Sequence, residues 1–188
     1  MLESNRGESP SRKRRKPKTE GEDSPRSLSP ERQEQRARNV LLHQLSRSAK
    51  TAKQCRDILA KREIDAEIAE SVIQRYIEVG LIDDQAVAQT IANSRRKYKG
   101  LAKSAIKREL NEKGISADLI ELSVAEFDSE SELRAATELA LKRMPRLASL
   151  ERDVRQRRLT GYLARKGYGS SQIIAAIKVA EAELALQG

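Results

Sequence analysis

From Glu31 onward, apolar residues recur at three- and four-residue spacing almost without a break, and no stretch alternates or gathers β-branched residues as a strand would. The pattern predicts an all-α chain, with helices near 31–47, 51–62, 66–79, 84–97, 102–113, 117–127, 130–143, 150–166 and 171–186. Gly80, Gly100, Gly114 and Gly167 fall where the chain must turn, and Pro145 follows the seventh helix. Ser129 and Glu132 have the spacing of a capping box at the start of that helix.

One phrase is written three times. "LAKREIDAEIAESVI" from Leu59, "LNEKGISADLIELSV" from Leu110 and "LARKGYGSSQIIAAI" from Leu163 share an order of leucine, basic residue, turn and apolar residue, at offsets of 51 and 53 residues. Arg62, Lys113 and Lys166 are the basic residues, and Glu63, Gly114 and Gly167 take the turn. Ile64, Ile115 and Tyr168 follow as apolar plugs, then Asp65, Ser116 and Gly169 near the next helix start. A period of about fifty residues holding three helices predicts an elongated tandem array in which neighbouring units cover each other's apolar faces. The expected units are residues 31–82, 83–128 and 129–188, preceded by a disordered tail over 1–30. Arrays of this kind expose a large surface for their mass and usually bind other macromolecules.

The tail, which holds most of the prolines, shows no apolar periodicity and cannot offset the entropy lost on folding. Its eight Lys and Arg against five acids leave +3 of the chain's formal +9, so +6 remains on the helical part. "SRKRRKPK" from Ser11 fits a nuclear address, a nucleic-acid arm or simply a solubilising tail. Aromatics are 3% of the residues, with no Trp, so Leu, Ile, Val and Ala must fill the interior, as suits a thin helical assembly. No apolar run is long enough to span a membrane and no signal peptide is evident; with a single Cys55, a reducing, cytoplasmic setting is expected.

Catalytic chemistry lacks the parts. One histidine, His43, and one cysteine, Cys55, are too few for a Zn site of usual composition or a Cys–His pair, so no catalytic residue, metal or cofactor is expected. "GYG" at Gly167 matches no phosphate loop. Asp83 and Asp84 are adjacent acids that read as caps of the helix that starts there, favouring the positive end of its dipole, in preference to metal ligands.

Positive charge gathers twice. "SRRKYKGLAKSAIKREL" supplies Arg95, Arg96, Lys97, Lys99, Lys103, Lys107 and Arg108; Lys103 and Lys107 lie one helical turn apart, with Lys99 in line before them. "RDVRQRRLTGYLARK" adds Arg152, Arg155, Arg157, Arg158, Arg165 and Lys166. Both clusters occupy similar places in their repeats, so stacking is expected to align them along one groove suited to a phosphate backbone or an acidic protein surface. Tyr98 either stacks on an exposed base or, as is commoner for a tyrosine at a helix end, packs against its own unit.

"GLIDDQAVAQTIANSRRKYKGLAKSAIKRELNEKGI" from Gly80 resembles the central motif of the bacterial RecX family, regulators of the RecA recombinase. "RRLTGYLARKGYGSSQI" from Arg157 resembles that family's C-terminal repeat. The likeness covers roughly residues 40 to 186; Glu63 stands where the other corners have glycine, and the basic tail lies outside the family pattern. The resemblance implies tandem three-helix units without catalytic activity. It also implies a monomer lying in the groove of a RecA filament on single-stranded DNA and bridging protomers. There it would restrain ATP turnover, strand exchange, co-protease action and filament growth. A direct nucleic-acid-binding or architectural helical protein explains the cationic clusters equally well.

Overall fold

The computed structural model describes residues 28–186, so the expected tail falls almost wholly outside the described residues. Among these, nine α-helices and no strand are present: α1 Pro30–Arg47, α2 Ala52–Ala60, α3 Ala66–Glu78, α4 Asp84–Ser94, α5 Lys103–Glu112, α6 Ala117–Ser123, α7 Ser129–Arg143, α8 Arg152–Arg165 and α9 Ser170–Leu186. A π-helical turn, Arg95–Lys99, continues α4, and a 3-10 turn, Met144–Leu147, continues α7. The sixth helix ends at Ser123, short of the predicted 127. The Ser123 hydroxyl donates back to the Ile120 carbonyl, a competing bond that weakens the last turn.

Three separate apolar clusters form the interior, each built on one set of three helices. Leu59, Leu110 and Leu163 are fully buried, and the plugs Ile64, Ile115 and Tyr168 are buried beside them. Each such leucine contributes roughly 1.5–3 kcal/mol by leaving water. Cys55 is buried in the first cluster, where desolvation, with a smaller contribution from Asp84, pushes its thiol up to about 11.

Caps fix the helix starts. Thr51 and Gln54 form a reciprocal capping box on α2. The Asp65 carboxylate accepts from Glu67 N–H at 2.9 Å. At α7 the expected box is not made: Asp128 caps the helix by accepting from Ser131 N–H at 2.8 Å, and Glu132 is turned inward to another partner. Asp128 lies one residue earlier, where the extended backbone of an N-cap places its oxygen over the free N–H groups.

The two junctions between units follow one geometry. In the first, the Thr51 hydroxyl donates to the Lys113 carbonyl at 2.8 Å, and the Asp84 carboxylate accepts from Ala52 N–H at 2.8 Å. In the second, Ala102, 51 residues after Thr51, has no hydroxyl, and its N–H donates to the Lys166 carbonyl at 2.9 Å. Glu132 there accepts from Lys103 N–H at 3.2 Å. In each case a carboxylate from the first helix of one unit meets the positive end of the second helix of the unit before it. Of the two adjacent acids, then, Asp83 caps its own helix, accepting from Ala86 N–H at 2.9 Å, whereas Asp84 serves a different one.

The corner glycines belong to the same geometry. A Cβ on Gly114 would lie 2.6 Å from Lys53 Cβ, and one on Gly167 would lie 2.7 Å from Ala105 Cβ. Both also have left-handed φ, at +75° and +93°. Glu63 shares the left-handed backbone, at φ 57°, but no unit precedes it among the described residues, so its side chain points into solvent unopposed. An L side chain in this region costs about 1–2 kcal/mol, part of which glycine returns as unfolded-chain entropy. Glu63→Gly is therefore expected to stabilise the protein by about 1 kcal/mol, raising the thermal midpoint by roughly 2–4 °C. An unchanged or lower midpoint by circular dichroism would show that the corner carries no strain.

Candidate functional site

A groove of about 710 Å³ crosses all three units. It is lined by Lys53, Gln54 and Asp57 of α2 in the first unit, by Lys99, Leu101, Ala105, Arg108, Glu109, Glu112 and Lys113 of the second, and by Arg165 of α8 in the third. Five cations thus face three carboxylates. One of these, Glu109, is already committed to Arg95, whose guanidinium donates to it at 2.7 and 2.8 Å. The hydrogen bonds from Arg95 hold the Glu109 carboxyl below its usual range against the opposing effect of burial, with Lys113 and Lys99 adding to the depression. A depressed carboxylate stabilises the fold above its unfolded value near 4.5 and loses that contribution as pH falls through the lower folded value, so this brace weakens only in acid.

The predicted cations divide by role. Lys99, Arg108 and Arg165 meet in the groove. Arg96 turns inward, ion-paired with Glu132, donating to the Ser131 carbonyl at 2.8 Å and lying 5.0 Å from the Phe127 ring centre. Arg155 is equally committed, donating to Glu181 at 3.1 Å and to the Leu150 carbonyl at 3.0 Å. Lys107 bonds Glu121 at 2.5 Å, the same brace that Arg56 makes to Glu70 at 2.7 Å one unit earlier. Lys166 donates to the Lys99 carbonyl at 2.5 Å across the second junction. Lys103 is half-buried at the start of α5, with its backbone N–H on Glu132. Lys97, Arg157 and Arg158 are exposed.

The single line of Lys99, Lys103 and Lys107 is not formed. The π-helical turn and left-handed Gly100 at φ 58° break the helical phase, so Lys99 faces the groove while Lys107 braces α6. Tyr98 does not pack against its own unit either: it is 76% exposed.

Neither Lys53 nor the corner residue Lys113 belongs to the two cationic clusters read from the sequence, although the repeat contains the signal. Asp57, Arg108 and Gly161 are equivalent at offsets of 51 and 53, as are Lys61, Glu112 and Arg165, and Lys53, Ser104 and Arg157. The second helix of every unit therefore presents equivalent positions to one face. Arg158, equivalent to the groove-lining Gln54 and Ala105, shares a helical face with Gly161 and Arg165.

Among the described residues no helix is long and apolar enough to cross a membrane, and no three His, Cys, Asp or Glu are grouped to hold a metal ion.

Residues 37–75, 83–122 and 130–177 match the first, second and third three-helix domains of RecX. The chain is 42% identical to the regulatory protein RecX of Streptomyces lividans over 146 residues, 78% of each chain. It is 37% identical to that of Mycobacterium avium over 164 residues, 87% of this chain and 92% of the relative. The fold resembles the crystal structure of RecX from Lactobacillus salivarius, with a TM-score of 0.71 and 21% identity over 80% of this chain and 98% of that one. A second RecX crystal structure gives a TM-score of 0.68 at 25% identity, over 79% of this chain and 73% of that one. Three matched domains in order, joined by two equivalent junctions, establish that this chain belongs to the RecX family.

Proposed function

We propose that this protein is a negative modulator of the RecA recombinase, acting as a cytoplasmic, non-enzymatic monomer. It lies in the groove of the RecA filament on single-stranded DNA, bridging protomers and restraining ATP turnover, strand exchange and co-protease activity. The observation that carries the reading is the groove shared by all three units, with Lys53, Lys99, Arg108, Lys113 and Arg165 along it. A surface distributed over three linked units can engage more than one neighbour in a polymer at once, and modest contacts joined through one chain gain avidity.

RecA ATPase on single-stranded DNA, measured with and without the protein at several salt concentrations, tests the proposal. Inhibition is expected at amounts comparable to RecA and is expected to weaken as salt rises. Reversing Lys99, Arg108 and Arg165 to Glu should weaken binding by about ten- to a hundredfold and flatten its salt dependence. All three are exposed, so helicity should not change. Undiminished inhibition by the folded triple variant would move the interface off the groove, and ATPase indifferent to the wild-type protein would remove the function.

A further inference from the structure

The chain has only five aromatic residues. Tyr76 and Tyr168 are buried. Phe127 and Tyr162 are half-buried beneath cations, Arg96 lying 5.0 Å from the first ring centre and Arg143 and Lys166 lying 5.5 and 5.7 Å from the second. Tyr98 alone stands in solvent, 76% exposed, and adds nothing to any of the three cores.

Its backbone, by contrast, is fixed. The π-helical turn sends Arg95 and Arg96 inward to Glu109 and Glu132, leaving Lys97, Tyr98 and Lys99 on the outside. At the end of the turn, Gly100 takes a left-handed conformation so close to α7 that a Cβ there would lie 2.9 Å from a Leu139 methyl. The third unit holds the turn from its far side: Tyr168 OH donates to the Gly100 carbonyl at 3.3 Å and the Lys166 ammonium to the Lys99 carbonyl at 2.5 Å. A π-helical insertion is uncommon and often marks a functional position. Here it mounts one ring on a braced backbone, so little order remains to be gained on binding.

The neighbours of the ring define the ligand. The Lys97 ammonium lies 5.4 Å from the ring centre, and Lys99, the residue after Tyr98 along the chain, lines the cationic groove. An exposed ring with a lysine on either side of it in the chain, one lying over the ring and the other lining a cationic groove, matches an unpaired base and its flanking phosphates: the ring stacks on the base while the cations neutralise the backbone. A duplex hides its base faces, and an acidic peptide would use the lysines while leaving the ring idle. We infer that Lys97, Tyr98 and Lys99 form a binding site for an unpaired nucleobase and its flanking phosphates in single-stranded nucleic acid. This site is independent of the RecA reading, because it acts on the strand directly.

The chain has no Trp, so its intrinsic emission is that of tyrosine, which base stacking quenches. The full-length protein, with RecA absent, is titrated with oligothymidylate, with an abasic deoxyribose-phosphate oligomer of equal length, and with duplex DNA. Oligothymidylate is expected to quench the emission and to bind more tightly than the abasic oligomer. Tyr98→Leu should lose the quenching and about five- to a hundredfold in oligothymidylate affinity, while Tyr98→Phe, which still stacks, should stay within about twofold of wild type. Duplex binding should not change in either variant. The exposure of the ring means both should keep wild-type helicity. Equal affinity of Tyr98→Leu and wild type, equal binding of the abasic oligomer, or no binding of oligothymidylate at low salt overturns the inference. So does a Tyr98→Leu protein that loses inhibition of RecA while keeping its oligothymidylate affinity, which would assign the ring to a protein surface and leave the RecA reading intact.

Discussion

Glu132→Ala is expected to lower the unfolding free energy by about 3–5 kcal/mol, the cost of leaving one member of a buried ion pair without its partner. The Glu132 side chain is 7% exposed and that of Arg96 15%. The carboxylate also receives the Lys103 N–H, so truncation removes the cap of α5 along with the counter-ion of Arg96. Asp84→Ala at the other junction removes a single hydrogen bond to Ala52 N–H from a half-buried residue, and about 1 kcal/mol is expected there. Urea unfolding followed by circular dichroism would measure both. Replacing the pair together, as Arg96→Met with Glu132→Leu, should recover much of the loss, because no charge is then stranded. A loss below about 1 kcal/mol for Glu132→Ala would mean that water reaches Arg96 and the junction is not dry.

Gly167→Ala is expected to cost about 2–5 kcal/mol and to sever the third unit from the second without altering any charge. The left-handed φ accounts for about 1–2 kcal/mol of this. Overpacking supplies the rest, about 1–3 kcal/mol, since the new methyl would meet Ala105 Cβ at 2.7 Å and Ala105 N at 3.2 Å, and a helix backbone cannot yield as a flexible side chain would. Gly80→Ala is the control: its φ is +73° with nothing within 4 Å of the added carbon, so only the backbone term applies. The difference between the two variants isolates the docking of the units. If bridging of RecA protomers requires the units at fixed separation, Gly167→Ala should lose inhibition steeply and Gly80→Ala should retain it. Equal losses in stability and inhibition for the two variants would count against a rigid array.

The period was legible because Leu59, Leu110 and Leu163 carry it in residue type alone, and burial then follows from the plug that succeeds each turn. The fate of the cations was not legible. Arg96 finds Glu132 at a separation of 36 residues and Arg155 finds Glu181 at 26, and no local pattern announces such a partner. Lys99 sits at the corner before the helix of Lys103 and Lys107, and nothing in the local sequence announces the π-helical turn that takes it off their line. Asp84 shows the same limit from another side: its position at a helix start was read correctly, but the N–H group it serves belongs to a helix that begins 32 residues earlier in the chain.

Glu63 gives the array a beginning. At Gly114 and Gly167 the corner is bare because another unit presses against it, and the same approach to residue 63 would meet a carbon and a carboxylate. The docking rule used twice inside the molecule is thereby denied to a second molecule arriving at that end. A second copy docking at this end by the same geometry would have to displace the Glu63 side chain, a steric cost that works against extending the array in this direction.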